Sequence, residues 1–545
     1  MSRPMTLAPR FLVNFWAGLR VAKFGHRIKS LGRGIKAQHA AFTRLLHAAA
    51  GTEFGRMHGL EAATTYEQFR DRVPPQAYEH FQPLIARMAA GEANVLVPGR
   101  CPFFVETAGT SGLVPKLLPV PEAMLAHFRH GLRDALFHYA HRIGHAGVFL
   151  GRQVHLGAST AVIEAKGIYR TSLDGMLTLC LSPWVEANLR SPPAPIAQLP
   201  EGAEKTIATA RVMLRRDVTL VAGTPALLCD LALAVREAAG QPPPSHLQSL
   251  WPNLECCLHT GAPLGLHGET LRALLGPTVR FHEVYAAAEG IFAAQDGGSP
   301  VALRLLADAG VFFEFLPLAC HNEAALTHAG PLCLPLEKIQ AGTDYVLVVT
   351  TPAGLCRYVT GDIVRFVSVE PPRLQFAGRV AFQLNSFGER VSERDVLESV
   401  QAVCARNGWQ AAACHVAPYV QRIAAGQVAN VHEWWLELGT RHTVRTPMAN
   451  VLGPELDAQL SHRNADYAAR REQGLLGAPH VRLVMPGVFA RWAEEQRKTA
   501  SASKLPRCRS DRLIADQLAV LARFHQDALA RPRPTNPPFP ATPPL

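Results

Sequence analysis

The stretch Phe103-Phe104-Val105-Glu106-Thr107-Ala108-Gly109-Thr110-Ser111-Gly112, with Lys116 shortly after it, decides how the chain is read. An apolar, strand-like run ends in a loop of small and hydroxylated residues. Glycines let backbone N–H groups approach an anion closely, the Thr and Ser hydroxyls add donors, and Lys116 adds charge. The pattern GxxxxGK[ST] of a P-loop NTPase is absent. A hydrolase nucleophile elbow is absent too, because Leu113 stands where GxSxG requires glycine. Taken alone, the loop is equally a plain Gly/Ser turn.

Later stretches narrow the choice. Tyr285-Ala286-Ala287-Ala288-Glu289-Gly290 follows a short β-like run over residues 279–284. Arg357-Tyr358-Val359-Thr360-Gly361-Asp362 follows the strand-like residues 345–350 and reads as a turn whose acid accepts hydrogen bonds from sugar hydroxyls. Gly378-Arg379 and Ser503-Lys504-Leu505-Pro506-Arg507-Cys508 place cations near the ends of a second domain. Helical spacing over residues 11–50 and 122–143 alternates with β-branched runs such as residues 219–222, the pattern of an α/β protein. At residues 373–376 a strand-like run gives way to Gly378-Arg379 and then to a helical segment over 392–406, marking a boundary near 378–383.

Composition excludes several classes. The 545 residues are 48% hydrophobic and 18% charged, enough for more than one packed core. The most apolar run, residues 218–235, is interrupted by Pro225 and Asp230, so a membrane-spanning protein is excluded. The net charge is +11, but residues 1–52 hold nine Lys/Arg and no Asp/Glu. The rest of the chain is nearly neutral, so no nucleic-acid face is expected. In the basic segment, Phe11, Leu12, Phe15, Trp16 and Leu19 recur at helical spacing ahead of Arg20, Lys23, Arg27 and Lys29. We read it as a helix packed on the domain, with a transit peptide or a membrane-surface helix as the alternatives. Eleven scattered cysteines without a CxxC pair point to reduced thiols in a cytoplasmic protein. His127, His130, His138, His141 and His145 fall in one helical stretch near Asp134; the spacing suits a metal, but solvated histidines are the expectation. His259, ahead of a glycine turn, reads as core or turn support.

In this order the motifs resemble the acyl-adenylate-forming superfamily of acyl-CoA ligases, luciferases and nonribosomal adenylation domains. Thr52-Glu53-Phe54-Gly55 with His58-Gly59, Phe312-Phe313-Glu314-Phe315-Leu316-Pro317, Asn385-Ser386-Phe387-Gly388-Glu389 and Lys504-Leu505-Pro506-Arg507-Cys508 resemble one branch of it. That branch is the auxin-responsive promoter family of acyl acid amido synthetases, of which the chain looks like a bacterial-type member. The resemblance implies a large N-terminal adenylate-forming domain of β-sheets flanked by helices, residues 1–378, which binds ATP and the acyl acid. It implies a small mobile α/β lid domain, residues 379–530, carrying Lys504. Residues 531–545, with seven prolines, are expected to be disordered.

The same resemblance implies ATP and Mg2+ as cofactors, with a carboxylic acid and an amino acid as substrates. Thr107, Gly109, Thr110, Ser111, Gly112 and Lys116 would hold the phosphates and Tyr285 would stack on adenine. Glu289 would bind Mg2+, Asp362 and Arg379 would hold the ribose, and Lys504 would reach the α-phosphate. Leu113, Ala287, Ala288 and Ala381 depart from the family pattern, Ala381 near where relatives often carry a charged hinge residue, and none removes an indispensable charge. An acyl-CoA ligase is the rival reading, and a non-catalytic nucleotide-binding protein a more distant one.

Overall fold

A computed structural model describes residues 10–107, 116–261, 264–299, 302–422, 428–439, 449–499 and 505–530. Contacts divide the chain into two compact units, with the break between Ala381 and Phe382. No helix among the described residues is long and apolar enough to cross a membrane.

The first unit begins with two helices, α1 (Arg10–Leu31) and α2 (Ile35–Ala50), separated where Gly32 and Gly34 adopt positive φ. A third, α3 (Glu122–Ile143), spans the stretch expected to be helical. Sixteen strands follow in chain order among the described residues. They are β1 (Phe103–Thr107), β2 (Lys116–Pro119), β3 (Arg152–His155), β4 (Ile163–Ala165), β5 (Ile168–Ser172), β6 (Arg190–Ser191), β7 (Val218–Gly223) and β8 (Cys256–Thr260). The second eight are β9 (Arg280–Ala287), β10 (Gly290–Gln295), β11 (Leu303–Leu305), β12 (Phe312–Pro317), β13 (Leu334–Pro335), β14 (Asp344–Thr350), β15 (Tyr358–Val369) and β16 (Pro372–Arg379).

They form a four-stranded sheet, β2-β1-β5-β4, and a twelve-stranded sheet, β13-β12-β14-β15-β16-β11-β10-β9-β8-β7-β3-β6. The large sheet changes character at β9. From β6 to β9 every pairing is parallel; from β9 to β13 every pairing is antiparallel. The parallel half follows from its sequence. Val218-Thr219-Leu220-Val221-Ala222-Gly223 is buried throughout, as a strand covered on both faces must be. A helix over Pro225–Ala238 follows at once, with Thr224 at its N-cap and Pro225 at its first position.

The second unit holds a three-stranded sheet of β17 (Ala411–Arg422), β18 (Val428–Leu438) and β19 (His480–Val484). Its first helix, Glu393–Asn407, is closed by a Ser392/Asp395 capping box and by Gly408 at φ 68°. This is the helical segment the sequence implied. Arg379 was expected to open this second domain, and its place is different: it ends β16 in the first unit, paired across the ladder with Asp362.

In the first unit α1 packs on α3 through Val21, Phe24 and Ile28, and α3 packs on β10. Gly131 makes the second contact close, since a Cβ there would meet Ile291 at 2.7 Å. The expectation of solvated histidines holds for His141 and His145, which are exposed, but not for two others of this stretch. His127 and His138 are buried, and His127 Nδ1 contacts the Ala309 carbonyl at 2.8 Å while its Nε2 accepts the Ile291 N–H at 2.9 Å. A ring in that position must stay neutral, and burial pushes both imidazoles down to about 4.

Because the folded values lie below the ordinary 6.5, the stabilisation is complete above that value and is lost as the pH falls from it toward about 4. Unfolding free energies from urea titrations should therefore drop between pH ~6.5 and pH ~4.5, by up to ~1.4 kcal/mol per pH unit for each buried histidine. His127→Gln, which can both donate and accept, should have a shallower slope; equal slopes in the two proteins would remove His127 from the acid response.

Candidate active site

The β1–β2 hairpin brings the two ends of the Gly/Ser loop together, with Thr107 directly opposite Lys116. Gly109, Thr110, Ser111 and Gly112 lie outside the described residues, as does Leu113. Their flanks are held firmly: the Tyr78 hydroxyl accepts the Leu117 N–H at 2.9 Å and pins the start of β2. Lys116 Nζ stands 5.1 Å from the Tyr78 ring centroid and 5.9 Å from that of Tyr358, a cation held between two aromatic rings.

From Lys116 a chain of contacts leads to the expected acids. Lys116 Nζ donates to the Tyr358 hydroxyl at 3.3 Å, and that hydroxyl donates to Glu289 Oε1 at 3.2 Å. Glu289 sits in the turn between β9 and β10, where the sheet changes from parallel to antiparallel. Burial raises its carboxyl above the ordinary range, and the Lys116 ammonium opposes that shift. Tyr285, four residues earlier on β9, donates to Asp362 Oδ2 at 2.6 Å, and Arg379 Nε donates to Asp362 Oδ1 at 2.9 Å. Lys116, Tyr285, Glu289, Asp362 and Arg379, far apart in sequence, thus form two linked groups on one unit.

Two expectations change. Asp362 was placed on a turn, and it lies inside β15, where Gly361 at φ 78° and a register shift at residues 363–364 displace the strand locally. Such a bulge presents a side chain as a turn would, which is why the glycine misled. Tyr285 was expected to offer a ring face to adenine. Its ring is 8% exposed and packs edge-on against Phe292 and Phe376, with its hydroxyl committed to Asp362.

Several residues were not singled out from sequence. Tyr358 was quoted within its motif but given no role; its partners Lys116 and Glu289 are distant in sequence. The residue before it, Arg357, is fully buried and left-handed at φ 52°. All five of its guanidinium N–H donors are used. Nε and Nη2 reach the two oxygens of Glu314 at 2.9 Å, Nη1 reaches the carbonyls of Arg70 and Val73, and Nη2 also reaches that of Gly330. Tyr66 donates to Glu314 as well, at 2.9 Å. Glu314 belonged to a quoted motif; nothing local revealed its partner.

Among the described residues one group has the spacing of a cation site, His130, Asp134 and Asp308. Arg27 already bonds Asp134, and Arg133 donates to it at 3.0 Å, so the group is built as ion pairs. His259 is buried on β8 with its ring toward Phe281, in the core role expected of it.

In the second unit, Lys504 lies outside the described residues, but the residues after it are anchored. The Pro506 carbonyl is 2.8 Å from His415 Nδ1, the Arg507 carbonyl accepts from Val416 N, and Cys508 bridges to the edge of β17. The Asn385–Glu389 motif is structural: Glu389 is fully buried, bonded to His432 Nε2 at 3.1 Å and to the Phe387 N–H at 2.6 Å.

Three family models match in chain order: GH3 family N-terminal domain over residues 28–175, GH3 family central domain over 304–379 and GH3 family C-terminal domain over 394–513. The indole-3-acetic acid-amido synthetase GH3.8 of Oryza sativa subsp. indica is 24% identical, covering 86% of this chain and 87% of its own. A GH3 domain-containing protein of Homo sapiens is 28% identical over 50% of this chain and 51% of its own. The fold is shared with the AtGH3.15 acyl acid amido synthetase in complex with 2,4-DB, at TM-score 0.72 and 19% identity over 92% of this chain and 96% of that one. It is shared less closely with a 2-hydroxyisobutyryl-CoA ligase in the postadenylation state, at TM-score 0.52 and 14% identity over 91% of each.

Arg357→Met should unfold the first unit more than it disturbs any nucleotide contact, because it leaves Glu314 charged and buried with the Tyr66 hydroxyl as its one remaining side-chain partner among the described residues. The expected loss is about 3–5 kcal/mol. Chemical denaturation followed by circular dichroism measures it, and a loss under about 1 kcal/mol would show that water or a neighbour replaces the guanidinium.

Proposed function

We propose the activity of this chain from one premise: it belongs to the GH3 family, whose three domains it matches in order. It is an ATP-dependent acyl acid amido synthetase. The carboxylate of an acid attacks the α-phosphorus of ATP, pyrophosphate leaves, and an amino acid amine then attacks the carbonyl of the acyl-adenylate to release AMP. The observation that carries this reading is the pair of linked groups, Lys116–Tyr358–Glu289 and Tyr285–Asp362–Arg379, assembled from four separate stretches on a fold shared with AtGH3.15.

Each group suits a part of ATP. Thr107 and Lys116 flank the loop Gly109-Thr110-Ser111-Gly112, which receives the β- and γ-phosphates. Asp362 accepts hydrogen bonds from the ribose, with Tyr285 and Arg379 fixing its two oxygens from either side. Tyr285 therefore serves the nucleotide through its hydroxyl. Lys504 brings a mobile point charge to the α-phosphate as negative charge develops there.

The chemistry of Glu289 fits Mg2+: its hard carboxylate oxygens stand near Lys116, which follows the phosphate loop, and one carboxylate with phosphate oxygens and water is an ordinary donor set for that ion. When bound, the ion neutralises charge on the phosphates. Tyr358 and Lys116 orient and charge-balance the carboxylate that would hold it. The free state of all eleven cysteines suits a reducing compartment, and we place the enzyme in the cytoplasm.

The deciding experiment supplies ATP, Mg2+ and a panel of carboxylic acids with either pooled amino acids or CoA, and identifies products by mass. Amide with pyrophosphate and AMP is expected; thioester would make the chain an acyl-CoA ligase on the same adenylation site. Lys504→Ala should slow pyrophosphate release by about 10²- to 10³-fold, and a change under about threefold would remove Lys504 from the first step. Asp362→Asn should raise the KM for ATP by about tenfold with little change in kcat, the pattern of lost ground-state binding; an unchanged KM would place the ribose elsewhere.

A further inference from the structure

A cavity of about 1070 Å3 lies in the first unit, and among the described residues none of the six side chains of the nucleotide cluster lines it. It is bounded by α1, by α3 and by the segment from β3 to the helix Ala203–Met213. Helix α3 separates the two sites. The face carrying His127, Phe128, Gly131 and Ala135 is buried toward β10, while Ala126, Arg129, Arg133 and Leu136 on the opposite face line the cavity.

Its walls are apolar and its charge is one-sided. Leu136, Phe137, Phe149, Leu181 and Trp184 line it, and Leu12 and Trp16 of α1 stand at its outer lip, 39% and 61% exposed. Five Lys or Arg residues line it against one acid, Asp174. Not all of those cations are available: Lys205 Nζ donates to the carbonyls of Gly157, Ala158 and Ala197, and Arg129 and Arg133 pair with Glu122 and Asp134.

Arg190 differs from these. It sits on β6 opposite Gln153 of β3, and His155 is on the same face two residues along. Neither the Arg190 nor the His155 side chain makes a hydrogen bond or ion pair among the described residues. Burial lowers both groups, His155 to about 4; the carboxylates of Glu186 and Asp174 oppose the shift at Arg190 without reaching ion-pair distance, so burial still outweighs them.

We propose that this cavity is a second ligand site, separate from the adenylation centre, for a single-chain anionic amphiphile of the fatty-carboxylate type, its chain among the aromatic and leucine walls and its head at Arg190. The volume exceeds what a small aryl acid fills, since pockets for drug-sized ligands span about 300–1,000 Å3. A neutral lipid would leave Arg190 with only the longer-range fields of Glu186 and Asp174. A short acid would leave the walls wet.

The test titrates dibromostearate, below its micellar range, into the full chain without nucleotide and reads tryptophan quenching, because Trp16 and Trp184 line the cavity. Saturable quenching is expected, lost in Trp16→Phe/Trp184→Phe, competed by oleate and not by methyl oleate. Arg190→Gln should weaken the fatty acid by about tenfold or more, the size of a lost charge-assisted hydrogen bond, and should leave methyl oleate unaffected. Leu136→Trp, which fills the space without touching charge, should abolish quenching. Neither substitution should change AMP formation from an acid that the enzyme adenylates.

No saturable quenching, equal affinity for acid and ester, or quenching indifferent to Arg190→Gln would overturn the proposal. So would binding seen only with phosphatidylglycerol vesicles, which would make α1 a membrane contact. Loss of adenylation in Arg190→Gln would also overturn it, by merging the cavity with the reaction site while leaving the amido synthetase reading intact.

Discussion

The buried pairing of Arg357 with Glu314 is the constraint on which the nucleotide cluster depends. Taking both charges out of water costs several kcal/mol for each ion, and the left-handed backbone at Arg357 adds about 1–3 kcal/mol. Neither cost is offset by Coulomb attraction alone. The fork of the guanidinium meets both carboxylate oxygens and three carbonyls, including those of Arg70 and Val73 at the end of the helix Tyr66–Arg72. One side chain therefore ties a helix end, the turn at Gly330, β12 and the entry to β15 into a single arrangement. The next residue is Tyr358, whose hydroxyl meets Glu289, and Asp362 follows four positions later on the same strand. An interaction that touches no phosphate thus sets where both acids point.

The change of hand in the large sheet does the rest. A purely parallel sheet delivers its strand ends to one edge through long crossovers, and an antiparallel sheet delivers side chains along closely spaced ladders. At β9 the chain uses both. Tyr285 leaves the parallel half, Glu289 occupies the turn into the antiparallel half, and β15 and β16 bring Asp362 and Arg379 opposite each other by register. Ala287 and Ala288, which had stood out as departures from the family pattern, occupy this crowded junction, where Ala288 is buried.

What could be read from sequence follows from how local each signal is. The strand at residues 218–223, the helix at 122–143 and the capped helix after Ser392 declare themselves within a few residues, and each is present with small changes of boundary. The acids and the lysine of the cluster were legible because their motifs are short. Asp362 was misplaced on a turn because a glycine inside a bulged strand carries the same sequence signal as a turn glycine. Tyr358, Glu314 and His127 had no local signal for their roles, since their partners lie 43 to 248 residues away. The buried histidines failed for a related reason: helical spacing reveals a face but not what is packed against it.

Charge within the cluster carries one further consequence. Glu289 and Asp362 stand against Lys116 and Arg379, with Arg379 already paired to Asp362 and Lys116 set against Glu289. The described part of the site is close to neutral, and a neutral site is a poor host for a triphosphate. The missing positive character has to come from groups that a triphosphate itself recruits. In the proposed site, backbone N–H groups of the Gly/Ser loop would supply partial charge, Mg2+ at Glu289 would supply a full ion, and Lys504 would supply a cation; the residues after Lys504 are fixed to β17. Under the proposed reaction this division has a use. Once pyrophosphate leaves, the demand for cation falls, and a site neutral in its own residues holds the acyl-adenylate without retaining the anion that has to depart.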